Sequence, residues 1–130
     1  MGRIRQILET ALYVQDIAMA ERFYTEVLGL HVYSKSGNRH VFFKIGQSML
    51  LLFNAEACQK PGGVPCHGTE GPGHVAFAVQ HGELDFWRAK LKDHNVAVEQ
   101  EITWPSGGRS IYFRDLDGNS LELATPDTWP

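Results

Sequence analysis

Thiols are scarce in this chain of 130 residues: Cys58 and Cys66 are the only two cysteines, and both fall in a loop-like stretch. A structural zinc site wants four ligands at characteristic spacing. His67 follows Cys66, but no second Cys or His pair completes a set, so zinc is not expected there. A disulfide is not expected in a reducing compartment. Long apolar runs are missing as well. No stretch approaches the ~20 residues that cross a bilayer. The opening MGRIRQILETALYV lacks the apolar core and small-residue cleavage site of a secretory signal. No membrane partner is expected, and a cytoplasmic location is the default. Basic clusters are absent too. Lys and Arg number 12, Asp and Glu 15, the cations are scattered, and the net charge is −3. A nucleic-acid backbone or an acidic membrane would want a basic patch, so neither is expected as a partner.

What remains is ordinary globular material, 43% hydrophobic and 21% charged. The length is one domain's worth and buries enough surface to fold without staples. We expect a single domain over 1–130, built as a first module at about 7–54, a Gly/Pro-rich linker at 55–73 and a second module at about 74–125.

Residues 7–14 (ILETALYV) read as a strand, and Asp16 stands where a helix N-cap should. The run IAMAERFYTEVL places Ile17, Ala20, Phe23, Tyr24 and Val27 near one face at helical spacing, with Gly29 as the stop. LHVYS, HVFFKIG and SMLLLFN read as strands, with turns at Asn38 and at Gly46-Gln47. The second half repeats the order. HVAFAVQ (74–80) is a strand and GELDFWRAKLKDHN a helix. VAVEQEI, RSIYFRD and SLELATP are strands, with Asp117-Gly118 as a hairpin turn. The fold class expected is α+β, with two βαβββ modules.

Internal repetition sharpens this reading. Laid over HVAFAVQ, the run ETALYVQ matches Ala11 to Ala76, Val14 to Val79 and Gln15 to Gln80, and sets Glu9 on His74. Laid over GNSLELA, the run GQSMLLL matches Gly46 to Gly118 and Ser48 to Ser120, and sets Leu50 on Glu122. Three of those four special positions (Glu9, His74 and Glu122) hold metal-ligand side chains. Strand alternation puts each on the face of smaller residues, away from the apolar core face. Two carboxylates gathered without a cation would repel. A divalent metal cancels both charges, and one imidazole with two carboxylates suits Mn, Fe, Ni, Co, Zn or Mg. Three protein ligands leave positions open for water or substrate. Singly, each residue has a plainer reading, as a strand-end histidine or a solvated glutamate. Asp115 to Asn119 resembles the start of a calcium loop, but the twelfth position is Pro126, which rules out an EF-hand.

The run YVQDIAMAERFYTEVLGL, the run GPGHVAFAV and the hairpin IYFRDLDGNSLELATP together resemble the vicinal oxygen chelate superfamily, which holds the glyoxalase, bleomycin-resistance, fosfomycin-resistance and extradiol-dioxygenase proteins. The resemblance covers nearly the whole chain. It implies paired βαβββ modules forming a curved mixed sheet around a metal cavity, with a divalent metal held there and His74 and Glu122 as the usual second-module ligands. Glu9 sits where most members carry His or Gln. Leu50 sits where glyoxalase I carries a fourth, carboxylate ligand, so methylglyoxal chemistry is not expected. Fosfomycin enzymes carry Thr where this chain has Ala11, a Lys that EITWPSGGR lacks, and a basic tail absent before Pro130. Tyr112 matches a Tyr of that group. Extradiol enzymes usually carry two histidines among their ligands.

The expected function is a metal-dependent enzyme acting on a small, oxygen-chelating organic substrate. Candidate catalytic residues are Glu9 as a base, Tyr112 as a hydroxyl donor to an oxyanion, and Arg109, in the PSGGR loop, as the partner of a substrate carboxylate. The alternative is a metal-free binder of the bleomycin-sequestering type, with Trp104 and Tyr112 in an apolar groove. The resemblance also implies a homodimer.

Overall fold

The computed structural model describes residues 2–60, 64, 65 and 67–130. It forms two compact units, one ending at Glu70 and the other beginning at Gly71. Unit one runs β1 (Glu9–Val14), α1 (Ile17–Glu26), β2 (Val32–Ser36), β3 (His40–Ile45), β4 (Ser48–Asn54) and a single helical turn, α2 (Ala55–Cys58). Unit two runs β5 (His74–Ala78), α3 (Leu84–Asp93), β6 (Gln100–Thr103), β7 (Arg109–Arg114) and β8 (Ser120–Ala124). The sheets are ordered β1-β4-β3-β2 and β5-β8-β7-β6. In each, the first and last strands pair in parallel and the others antiparallel. The protein is therefore α+β, with the βαβββ order present in both units. No helix among the described residues is long and apolar enough to cross a membrane.

Parallel pairing of β1 with β4 forces a crossover, and α1 opens it. Asp16 accepts a hydrogen bond from the Met19 amide at 3.0 Å. Asn38, in the β2–β3 turn, accepts from the Ile17 amide at 3.0 Å. Two of the helix's orphan N–H groups are thereby satisfied. Ile17, Ala20, Phe23 and Tyr24 are its buried stripe. Gly29 stops the helix at φ 70°, where a side chain would be strained. Tyr24 is fully buried and stacks on Phe43 at 5.8 Å between centroids.

Two expected boundaries move. The strand expected over VAVEQEI begins only at Gln100. Asn95, at φ 58°, turns the chain, and the Val96 amide bonds back to the Leu91 carbonyl at 2.9 Å, so these residues close α3 instead. The stretch expected as a linker opens with α2, because Asn54 accepts from the Ala57 amide at 2.9 Å and so caps a helical turn. Cys66 lies outside the described residues.

Strand register corrects the repeat by one residue. Glu9 pairs with Met49 and Ala11 with Leu51, while His74 pairs with Ser120 and Ala76 with Glu122. On the antiparallel side, Phe42 opposes Leu51 and Tyr112 opposes Glu122. The counterpart of Glu122 is Leu51, not Leu50. Leu50 is 2% exposed on the other face, with Leu52, as Leu121 and Leu123 are in unit two. The slip arises at the last hairpin. Gly46 and Gln47 alone separate β3 from β4, whereas Asp115 and Asn119 close a loop over Leu116, Asp117 and Gly118. Gly118 takes φ 81° at the end of that three-residue turn.

Candidate functional site

His74, Glu122 and Tyr112 come together on one face of the second sheet. β5 and β8 are parallel neighbours, and β7 lies on the far side of β8, with Tyr112 directly opposite Glu122. The His74 and Tyr112 rings stack with centroids 6.3 Å apart and planes at 22°. The His74 Nδ1 lies 2.9 Å from the Ser120 carbonyl oxygen. A carbonyl oxygen only accepts, so Nδ1 carries a hydrogen and donates it. The other nitrogen, Nε2, faces Glu122 Oε1 at 3.3 Å.

Glu122 is 6% exposed. Its second oxygen accepts from the Ser110 hydroxyl at 2.5 Å, and Ser110 in turn accepts from the Trp104 indole N–H at 2.9 Å. The chain Trp104–Ser110–Glu122 holds the carboxylate in one rotamer, with Oε1 directed at His74. The acceptor sides of Nε2 and Oε1 thus converge on one point, an arrangement suited to a shared cation. Burial, and then the negative charge of Glu122, raise the Tyr112 pKa, so its hydroxyl keeps its proton.

Arg109 is not brought to this group. It is the first residue of β7 rather than part of a loop. It sits at odd parity with Ile111 and Phe113, on the face opposite Ser110 and Tyr112. Its charge acts on Glu101, whose pKa is lowered chiefly by the Arg88 hydrogen bond and in smaller part by Arg109. Gly108 precedes it, and a Cβ there would lie 2.5 Å from the Thr128 backbone. That close approach packs the loop after Trp104 against the turn Pro126–Thr128 that follows β8.

Glu9 opens β1 in unit one and is exposed. It lines a cavity of about 650 Å³ whose walls include Phe42, Met49, Leu51 and Phe53. Arg39 and His40 stand at the same cavity. His40 stacks on Phe42 at 4.1 Å, and burial, aided by the neighbouring Arg39, lowers its pKa. His67 is held over this face by the Tyr13 hydroxyl, 2.7 Å from its Nδ1, and lies within 3.3 Å of the Cys58 sulfur. Among the described residues, no three His, Cys, Asp or Glu side chains gather about one point.

Sequence reasoning missed the roles of Ser110 and Trp104 toward Glu122. The strand period carried the only available signal for Ser110, which lies two residues from Tyr112 and so shares its face.

The comparisons agree with the fold. A model of the glyoxalase/bleomycin resistance protein/dioxygenase superfamily matches residues 6–123. The metallothiol transferase FosB of Bacillus licheniformis is 33% identical over 113 residues, covering 86% of this chain and 70% of that protein. The fosfomycin resistance protein FosX of Listeria monocytogenes is 26% identical over 121 residues, covering 92% and 81%. A crystal structure of lactoylglutathione lyase from Agrobacterium tumefaciens superposes with a TM-score of 0.94 at 37% identity, covering 98% of each chain. With two βαβββ units and these matches, the chain belongs to the glyoxalase/bleomycin resistance protein/dioxygenase superfamily.

Proposed function

We propose that this protein is a metal-dependent enzyme acting on a small organic substrate with adjacent oxygens, and that His74 and Glu122 hold its divalent ion with Glu9 as third ligand. One observation carries the reading. The Ser120 carbonyl fixes the hydrogen of His74 on Nδ1, and the Nε2 so freed faces Glu122 Oε1 at 3.3 Å. A neutral imidazole whose second nitrogen is anchored to a carbonyl, beside a carboxylate oriented by a hydroxyl, is the donor set that metal sites use. Glu9 holds in the first sheet the register position that His74 holds in the second. Since no three such side chains gather in one chain among the described residues, Glu9 would reach the ion in a homodimer, from the partner subunit.

The ion, one of Mn, Fe, Ni, Co, Zn or Mg by its donor set, would supply Lewis-acid stabilisation of a developing alkoxide or enolate. The chain's own contribution is a protonated Tyr112 hydroxyl beside Glu122, a donor to negative charge on substrate oxygen. The aromatic and aliphatic cavity walls beside Glu9 suit an apolar portion of the substrate. Relatives named as a metallothiol transferase and a lactoylglutathione lyase support transferase or lyase chemistry over a role in binding alone. Leu51, the first-sheet counterpart of Glu122, offers no carboxylate, so the proposed set has three protein ligands. Arg109 has no part in the reading. We also propose a homodimer, since β1 and β5, the strands that begin with Glu9 and His74, each lie at a sheet edge.

The test is the divalent metal content of the purified protein by plasma mass spectrometry, beside His74→Ala and Glu122→Gln. The expected result is about one ion per chain, lost in both variants. A protein that takes no ion even after reconstitution would overturn the reading and leave a metal-free small-molecule binder.

A further inference from the structure

The hairpin between β7 and β8 carries a buried polar cluster that the fold does not require. Asn119 is 1% exposed and Asp115 7% exposed. Asp115 Oδ1 accepts from the amides of Asp117 at 2.9 Å and Asn119 at 2.8 Å. Its Oδ2 accepts from the Asn119 side-chain amide at 2.9 Å. This leaves the Asn119 Oδ1 directed out of the turn, where it accepts from the Gly73 backbone amide at 2.7 Å. Gly73 is the residue before His74. Its carbonyl accepts from the Ser120 amide at 2.9 Å, and the Ser120 carbonyl accepts from His74 Nδ1 at 2.9 Å.

These bonds form a closed circuit from Asp115 through Asn119, Gly73 and Ser120 to the His74 ring. The first unit shows which links belong to the fold alone. There the Met49 amide bonds to the Leu8 carbonyl at 2.9 Å, the counterpart of Ser120 to Gly73. By register, however, the counterpart of Asn119 is Ser48, which follows the two-residue Gly46-Gln47 turn. The same sheet is thus closed in the first unit by a shorter turn without this cluster. The extra residue and the Asp–Asn pair occur in the unit that carries the histidine.

We propose that Asn119, held by Asp115, is a positioning residue: it fixes the Gly73–His74 backbone so that the His74 Nδ1 hydrogen stays on the Ser120 carbonyl and Nε2 is presented toward Glu122. This deepens the metal-site reading and rests on it for its purpose, though the effect on His74 is measurable without metal.

The experiment compares wild type, Asn119→Ala, the exchange variant Asp115→Asn/Asn119→Asp, and Leu91→Ala. Leu91 is fully buried in α3, so its truncation destabilises the protein away from the hairpin. Nitrogen NMR of the metal-free proteins at about pH 8, where an ordinary histidine is neutral, reads the His74 tautomer. Titration with Mn²⁺ followed by electron paramagnetic resonance reads affinity. Expected are a single Nδ1–H tautomer in wild type and a tautomer mixture in Asn119→Ala. Mn²⁺ binding by that variant should weaken by about tenfold or more. Both properties should recover in the exchange variant, which keeps one donor and one acceptor between the two positions. Leu91→Ala should lower the melting temperature with the tautomer unchanged. An unaltered tautomer in Asn119→Ala, or an equal change in Leu91→Ala, would overturn the proposal. A wild-type protein that takes neither Mn²⁺ nor Fe, Ni, Co, Zn or Mg ions but shows the expected tautomer series would defeat the metal reading and leave the positioning role standing.

Discussion

At the scale of single residues, the contact between His74 and Glu122 is the most informative feature. With Nδ1 donating to the Ser120 carbonyl, Nε2 is the acceptor turned to the Glu122 carboxylate at 3.3 Å, an arrangement a shared cation would stabilise. On the proposed function, Tyr112 is the neighbour that would donate to substrate oxygen, since it lies opposite Glu122 and its pKa is raised. Tyr112→Phe removes that donor while keeping the ring stacked on His74. Its expected effect is a loss of about 10²-fold in turnover with metal content unchanged. A variant with full turnover would remove Tyr112 from the mechanism. The candidate residues were unevenly legible in the sequence. His74 and Glu122 stood out because each is a metal-ligand side chain in an otherwise apolar strand, at a position the internal repeat singles out. Ser110 and Trp104 did not, because a hydroxyl reveals its partner only when another strand lies beside it. Arg109 and Tyr112 are three apart on one strand, so alternation keeps them on opposite faces. Reading PSGGR as a loop concealed that constraint.

At the scale of elements, ends and turns were legible where a side chain bonds its own backbone. Asp16 is such a case. Asp16→Ala removes the acceptor for the Met19 amide and is expected to cost about 1 kcal/mol of stability in denaturant unfolding. An unchanged midpoint would show that Asn38, which bonds the neighbouring Ile17 amide, suffices to hold this helix end. VAVEQEI shows the opposite situation. Its apolar alternation suits a strand, but the bond from Val96 to Leu91 gives the first residues to the helix end. Periodicity cannot weigh a capping bond against a ladder bond. The final hairpin was legible as a turn through Asp117-Gly118. Its one-residue excess over Gly46-Gln47, which moves the counterpart of Glu122 from Leu50 to Leu51, was not.

At the scale of the whole molecule, both sheets leave at an edge the strand that begins with a candidate ligand, Glu9 in β1 and His74 in β5. Ile7 and Leu8, just before β1, are 77% and 61% exposed. Unpaired edges and exposed apolar residues favour association. Sedimentation equilibrium is expected to show a species of twice the chain mass. A monomer that keeps its full metal content would overturn the homodimer.

The sequence by itself determined the repeat, the α+β class, the core faces and the candidate ligand positions. Each of these follows from local period, turn chemistry and residue type, which a linear pattern records. Only the tertiary structure decided the register that pairs Leu51 with the Glu122 position. It alone supplied the hydrogen bonds from His74 to the Ser120 carbonyl and from Ser110 to Glu122, and it alone placed Arg109 on the opposite face from Tyr112. Those depend on which strands become neighbours, and hydrogen-bond direction across a sheet leaves no trace in the order of residues along one strand.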